Sequence, residues 1–379
     1  MTSGENSRRA ASSATRCSGV TRISRVINMA QYDGATSPGP RRPERFRRAV
    51  PALREERVSL LVGVVEGDPP SRDIIVPRPD VRYLFIDPSE PLPAEAADVD
   101  ALLIWNVRSG FLREHWSEFT RLRWVHVGSA GVERVLFPEL TASDVVLTNS
   151  RYIFDQALAE YTIGLMLALS KDLPETLRHQ GEHRWVQRET ETLAGKTAVI
   201  VGVGPIARRT AQLAKAFGMS VRGIGRTARS GDPDFGDIAG PEALHALFAE
   251  ADYAVMVLPS TPRTAGMVDA AAIAALKPGA RLVNVGRGVT LDQDALCGAL
   301  RNGRLAGAAL DVMTPEPLPA DSPLWDVPNL IISPHMSGDH TGWQRDIVDL
   351  FTANLERLQR GEPLRNVVDK RLGYAPSGT

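Results

Sequence analysis

Three polar residues toward the C-terminal end carry the clearest chemical signal. Arg287, Glu316 and His335 are separated by 29 and 19 residues, and each follows a short apolar run, residues 280–285, 307–312 and 330–333. Apolar runs of this length, bounded by glycine- and proline-rich segments, predict buried strands. The guanidinium, carboxylate and imidazole are therefore expected at strand ends, where an open α/β sheet binds its ligands. A guanidinium clamps an anion through paired hydrogen bonds. An imidazole exchanges protons near neutral pH, and a carboxylate within hydrogen-bond reach favours its charged form. Together they suit the interconversion of a carbonyl and an alcohol beside a carboxylate. Taken singly, each has a plainer reading: a satisfied structural histidine, an Arg-Gly turn, an exposed glutamate between two prolines. Their joint order and spacing favour the functional one.

The elements that would position these groups follow from the apolar pattern. Residues 59–66, 81–86, 101–106, 123–128 and 145–149 read as strands separated by helix-length segments or turns, an alternation that implies a parallel sheet with helical crossovers. Residues 155–173, rich in Ala, Leu, Ile and Met, form a long helix leading out of this unit. A second unit repeats the alternation with six strands at 197–203, 220–226, 253–259, 281–286, 307–312 and 330–333. Residues 343–360 then read as one amphipathic helix, ended by Gly361, that returns to complete the first unit. The expected fold class is α/β: two doubly wound parallel-sheet domains, one of residues 58–154 with 338–379 and one of residues 155–337, behind a disordered leader of residues 1–57.

The second unit opens with a glycine turn. Gly202-Val-Gly204-Pro205-Ile206-Ala207 follows a strand directly and starts a helix. The first glycine permits the tight turn, the second lets a pyrophosphate approach the backbone, and the small Ala207 lets helix and strand pack closely. Pro205 suits the first helical turn but lacks an N–H, so Ile206 and its successors must supply the donors. The competing reading is a turn without a ligand. At the end of the next strand, where an acid would hold a ribose diol, stand Arg226, Thr227 and Arg229. Two guanidiniums beside a hydroxyl suit a 2′-phosphate, so NADP(H) is expected over NAD(H), which remains the second choice. The alternative is that both arginines belong to a solvated surface turn.

With these segments in view, the chain resembles the D-isomer specific 2-hydroxyacid dehydrogenases, and within them the glyoxylate/hydroxypyruvate reductase branch. Gly128-Ser-Ala130-Gly131-Val132, Ala157-Leu-Ala-Glu160-Tyr161, Leu258-Pro259-Ser-Thr261-Pro262, Leu276-Lys-Pro278-Gly279-Ala280, the closing Asn366-Val-Val-Asp369 and Gly373-Tyr374, and the segments already named carry the resemblance over residues 58–374. It implies a Rossmann cofactor domain inserted in a flavodoxin-like substrate domain. His335 would be the general acid/base, Glu316 its partner and Arg287 the clamp on a small 2-oxo acid. Trp105, in a stretch of residues 105–108 that varies within this family, would contact the substrate, as would Ala130, Gly131 and Val132. The resemblance also places Gly202, Gly204, Pro205, Ile206, Arg226, Thr227, Arg229, Pro259, Thr261, Val285, Gly286, Asp311 and Gly338 on the cofactor side, and implies a homodimer. Formate dehydrogenases share the fold but pair the histidine with an amide, so Glu316 argues against them. Phosphoglycerate or D-lactate oxidation, or a dinucleotide-sensing corepressor, are the competing functions.

Composition narrows the field further. A chain of 379 residues, 43% hydrophobic, can bury two domain cores. No apolar stretch approaches the roughly 20 residues that span a bilayer; residues 161–170 come nearest and read as a buried helix. Cys17 and Cys297 are far apart and lack metal-type spacing, which points to a reducing cytoplasm without disulfide framework or metal site. The net charge of −1 conceals a basic leader: residues 1–57 hold 12 Arg against five acids, a surplus of +7 that leaves the remainder at −8. Such a segment could touch nucleic acid or membrane or act as a transit peptide. The favoured reading is an unstructured extension, one version of which takes Met29 as the true start, with neither nucleic acid nor membrane as a partner. Of the other histidines, His126 alternates within a strand and is expected to be structural. His115, His179, His183, His245 and His340 are expected at the surface.

Overall fold

The computed structural model describes residues 59–67, 72–105 and 110–375. The expectations for the leader, and for Asn106, Val107 and Arg108 beside Trp105, lie outside them.

In chain order the strands are β1 (Leu60–Val65), β2 (Val81–Ile86), β3 (Ala101–Ile104), β4 (Trp124–Val127), β5 (Val146–Asn149), β6 (Thr197–Val201), β7 (Ser220–Ile224), β8 (Arg229–Asp232), β9 (Gly236–Ala239), β10 (Tyr253–Met256), β11 (Arg281–Asn284), β12 (Gly307–Leu310) and β13 (Leu330–Ile332). The α-helices are α1 (Phe111–Glu114), α2 (Pro138–Ala142), α3 (Asp155–Ser170), α4 (Leu173–Gly181), α5 (Pro205–Ala216), α6 (Leu244–Phe248), α7 (Ala270–Ala275), α8 (Gln293–Arg301) and α9 (Trp343–Gln359).

The first sheet has the order β2-β1-β3-β4-β5 and is parallel throughout, the flavodoxin-like arrangement. Every residue of β1 is buried, as both faces of a covered parallel sheet require. Apolar side chains of α1 and α2, among them Phe111 and Leu140, fill one face. The other is filled by Ile347, Phe351 and Leu355 of α9, and Phe351 stacks on Trp124 with ring centroids 4.9 Å apart. Helix α9 thus returns to this sheet, as the sequence pattern suggests.

The second sheet runs β13-β12-β11-β10-β6-β7-β9-β8. Strand order reverses between β6 and β10, and the crevice outside the carboxyl ends of those two strands is where a doubly wound sheet takes its ligand. Two apolar clusters cover its faces, and Ile163, Leu165 and Met166 of α3 belong to one of them.

Two details differ from the sequence reading. The sheet has eight strands and not six, because β8 and β9 form an antiparallel hairpin at its edge. Gly- and Asp-rich strands carry no apolar alternation, so the pattern hides them. The hairpin is instead anchored by Arg208, which pairs with Asp232 and Asp234 at 2.7 Å each, and by buried Phe235 and Ile238. The long helix also stops at Ser170, Asp172 adopts a left-handed φ of 48°, and α4 begins with Pro174 in its first turn. Proline fits a first turn but not a helix interior, so the two helices cannot merge. No helix among the described residues is long and apolar enough to cross a membrane.

Candidate active site

The strand ends of both sheets line one cleft of about 1740 Å³. Arg287, Glu316 and His335 all face it, together with Trp105, Ala130, Gly131, Val132 and Gly338. Gly202, Gly204, Pro205, Ile206, Arg226, Thr227, Arg229, Pro259, Thr261, Val285 and Gly286 line the same cleft. Asp311 is the one candidate that does not.

His335 follows β13 and has a left-handed φ of 54°, a conformation that costs a residue bearing a Cβ about 1–2 kcal/mol. Asp311 holds it there. Fully buried at the end of β12, Asp311 accepts from Ser333 Oγ at 2.6 Å, Met336 N at 3.0 Å and Ser337 N at 3.0 Å. The loop carrying the imidazole is therefore pinned on both sides of His335. Sequence reasoning placed Asp311 on the cofactor side, with a structural role at the strand end as the alternative; its carboxylate is spent on this loop.

His335 Nδ1 lies 2.9 Å from Glu316 Oε2, and Glu316 Oε1 accepts from Met313 N at 3.0 Å. Burial pushes the Glu316 carboxyl up, but its hydrogen bond to His335, the His335 charge, the Met313 N–H and the nearby Arg134 guanidinium outweigh it and hold the group below the usual carboxylate range. With Nδ1 engaged by a carboxylate, Nε2 is the ring nitrogen left for a ligand.

Arg287 follows β11, and its fork is already partly committed. Nη1 donates to Gly286 O at 2.7 Å, and Nε is paired with Glu133 Oε1. A Cβ on Gly131 would stand 2.0 Å from Arg287 Nη2 and 2.6 Å from Glu133 Oε2, so only glycine lets this pair close over the backbone. Burial pushes the Glu133 carboxyl up, yet the Arg287 charge and hydrogen bond prevail and lower it. Beside the pair, Ser129 Oγ donates to Gly131 O at 2.6 Å and Asn149 Nδ2 to Ala130 O at 2.5 Å. These bonds fix the carbonyls of the turn. Its N–H groups from Ala130 to Val132 have no acceptor among the described residues, and a helix-free turn with free donors is a natural seat for a carboxylate.

The glycine turn fits a dinucleotide. Gly202 has φ 106°, and a Cβ there would meet Val257 O at 2.5 Å, whereas a Cβ on Gly204 would meet nothing within 4 Å. The first glycine is thus required by the turn and the second leaves open space above the start of α5. No side chain caps that helix, so its N–H groups remain for phosphate oxygens. Farther along, Arg229 is tied to Asp232 at 3.3 Å, while Arg226 Nη1 donates to Tyr374 Oη.

Glu133 and Arg134 were not singled out by sequence, and Tyr374 was named only as part of the closing segment that carries the resemblance, with no role at the site. Glu133 and Arg134 directly follow the Ala130 turn, and that adjacency was the available signal; Arg134 reaches to 3.7 Å from Glu316 Oε2. His126 is fully buried, with Nδ1 2.8 Å from Thr148 Oγ1 and Nε2 3.2 Å from Ser150 Oγ, a structural role as expected. His179 corrects the surface expectation: it is buried, with Nε2 3.0 Å from Glu175 Oε1.

Residues 163–337 match the family model described as D-isomer specific 2-hydroxyacid dehydrogenase, NAD binding domain. The chain is 31% identical over 288 residues to glyoxylate/hydroxypyruvate reductase A of Serratia proteamaculans, covering 74% of this chain and 90% of that one. It spans about half the length of the D-3-phosphoglycerate dehydrogenases it also matches. Among solved structures it resembles a D-isomer specific 2-hydroxyacid dehydrogenase family protein of Aeromonas salmonicida, with TM-score 0.72, 33% identity, and 82% and 99% of the two chains covered. A second is a D-isomer specific 2-hydroxyacid dehydrogenase of Xanthobacter autotrophicus in complex with NADPH and MES, with TM-score 0.69, 30% identity and coverage of 84% and 100%.

Proposed function

Because this chain belongs to the D-isomer specific 2-hydroxyacid dehydrogenase family, whose members are NAD(P)-dependent oxidoreductases, we propose that it reduces a small 2-oxo acid of the glyoxylate or hydroxypyruvate type, with NADP(H) as its preferred cofactor. The observation that carries this reading is the convergence of Arg287 and the Glu316–His335 pair on the cleft that also holds the glycine turn. Residues 155–337 serve as the cofactor domain, and residues 58–154 with 338–379 as the substrate domain.

Each residue has a separate task. Arg287, held by Glu133 and Gly286 O, offers Nη2 to the substrate carboxylate, and the Ala130–Val132 N–H groups complete the seat. His335, oriented through Nδ1 by Glu316, delivers a proton from Nε2 to the carbonyl oxygen and takes it back in the reverse direction. A nicotinamide dinucleotide, when bound, supplies the hydride for the substrate C2. The Gly202 turn and the start of α5 would hold its pyrophosphate, and Arg226 with Thr227 its 2′-phosphate. That Arg229 is engaged by Asp232 leaves Arg226 as the main guanidinium for this purpose. The Xanthobacter relative solved with NADPH supports the same preference.

We also propose a homodimer in a reducing cytoplasm. Trp185 is 99% exposed and Leu177 65% exposed on α4 and the segment that follows it, an apolar display that suits burial against a second copy. Gel filtration returning a monomer would remove the dimer.

The test is loss of absorbance at the reduced-nicotinamide band with glyoxylate, hydroxypyruvate, pyruvate and phenylpyruvate, each with NADPH and NADH. Turnover is expected with the first two and NADPH. Oxidation with none of the four would return the protein to the dinucleotide-sensing reading.

A further inference from the structure

The chain beyond α9 is fastened to the first sheet and reaches across the cleft. Val368 N donates to Leu147 O at 2.8 Å, and Asn366 Nδ2 to Asn149 O at 3.2 Å and Arg151 O at 2.9 Å. Lys370 Nζ is held by the carbonyls of Leu140, Ser143 and Val145 at 2.7–3.0 Å. From this base a tight turn closes, with Gly373 N on Asp369 O at 2.9 Å and Asp369 N on Tyr374 O at 3.1 Å. The backbone of Tyr374 is thus set by bonds that have nothing to do with the second sheet.

Its side chain nevertheless meets the second sheet at one place. Tyr374 Oη accepts from Arg226 Nη1, and the Arg226 guanidinium carbon lies 5.9 Å from the Tyr374 ring centroid. Arg226 stands just past the end of β7, where the adenosine ribose of a dinucleotide is recognised in this type of sheet. Both residues line the cleft. A phenol oxygen that accepts from a guanidinium still has its own proton to donate, and an anion resting on Arg226 would lie within reach of it.

We propose that Tyr374 is a cofactor-specificity residue: it orients Arg226 and donates its O–H to the 2′-phosphate of NADP(H), so that the C-terminal turn of the substrate domain reads the adenosine end of the cofactor. This inference rests on the NADP(H) reading. Phosphate recognition would then be shared between two parts of the chain that face each other across the cleft, which couples cofactor choice to cleft geometry.

The test is calorimetric titration of the full-length protein, wild type and Tyr374→Phe, with adenosine 2′,5′-bisphosphate and with adenosine 5′-monophosphate. Wild type is expected to bind the bisphosphate more tightly. Tyr374→Phe should lose roughly tenfold in affinity for the bisphosphate, the size of one hydrogen bond to a charged group, with the monophosphate unchanged and the melting temperature retained. A variant that keeps the wild-type ratio overturns the inference alone. Equal weakening toward both ligands also overturns it, because Tyr374 would then be a structural prop. A wild type without preference for the bisphosphate removes the NADP(H) reading and this inference with it.

Discussion

Asp311→Asn is the substitution with the most to reveal, because it alters no group that faces the cleft. Asp311 Oδ1 receives two donors, Ser333 Oγ and Met336 N, and Oδ2 receives Ser337 N. Asparagine can keep its carbonyl oxygen on the two-donor side, but its NH2 then points at the Ser337 N–H, donor against donor. One charge-assisted hydrogen bond is lost, the other two weaken, and a buried N–H is left without a partner, at a cost of about 2–3 kcal/mol. For a domain of this size that corresponds to a fall in melting temperature of roughly 4–10 °C. The same loop holds His335 at φ 54°, so its relaxation relieves about 1–2 kcal/mol of backbone strain and carries the imidazole away from its working position. At 1.36 kcal/mol per tenfold in rate, turnover should fall by about 5- to 30-fold. Cofactor affinity should stay near the wild-type value, since the glycine turn is untouched. Steady-state kinetics with the best oxo acid, alongside thermal unfolding by circular dichroism, measures both effects. A variant that melts early but turns over normally would show that the loop anchor is irrelevant to the chemistry and would refute the reasoning.

His335→Ala should lower turnover by about 100-fold or more, the scale of a lost general acid, whereas Arg287→Ala should raise KM for the oxo acid as well; an unimpaired kcat in the first would end the mechanism. Glu133→Gln keeps the shape beside Arg287 but removes the charge, so KM should rise several-fold with a smaller change in kcat, and an unchanged KM would show that Glu133 does not set the guanidinium. Burial depresses the His126 pKa from 6.5 to about 3, so between those values the unfolded chain binds the proton and the folded chain does not. Stability should therefore decline as pH falls below 6.5, by on the order of 1.4 kcal/mol per pH unit from this group, and denaturant titrations should find that slope reduced in His126→Gln. Asp155, which lines the cleft, has the opposite sign: burial outweighs the Arg151 charge and raises its carboxyl from 3.8 to about 6. The folded chain then holds the extra proton between those values and loses stability as pH rises through them. Asp155→Asn should melt above wild type at pH 7.5 and together with it at pH 3.5; equal melting at both would contradict the assignment.

Much of this molecule is written in its linear pattern. Buried parallel strands need continuous apolar runs, and those runs reveal eleven of the thirteen strands to within a few residues. The turn after β6 requires glycine at Gly202 because Val257 O occupies the space of a side chain. Arg287, Glu316 and His335 are legible because each lies in the loop that follows a buried strand, and the strand ends of such a sheet are a known address. The edge hairpin of β8 and β9 escapes this logic, since it is held by Arg208 and its two aspartates and not by an apolar period.

Partnership is what the linear order could not decide. Glu133 and Arg287 are 154 residues apart, Tyr374 and Arg226 are 148 apart, and nothing in the local chemistry of either pair marks one for the other. Asp311 illustrates the same limit from the other side. Its position at a strand end announced a functional carboxylate, but whether that carboxylate would face the cleft or turn inward depended on three donors in the loop after β13. Strand ends and turns arise from local backbone sterics and side-chain pattern, which the chain carries at every residue. The direction in which a charged group spends its hydrogen bonds is set by whichever donors the completed fold brings within about 3 Å, and only the tertiary structure supplies them.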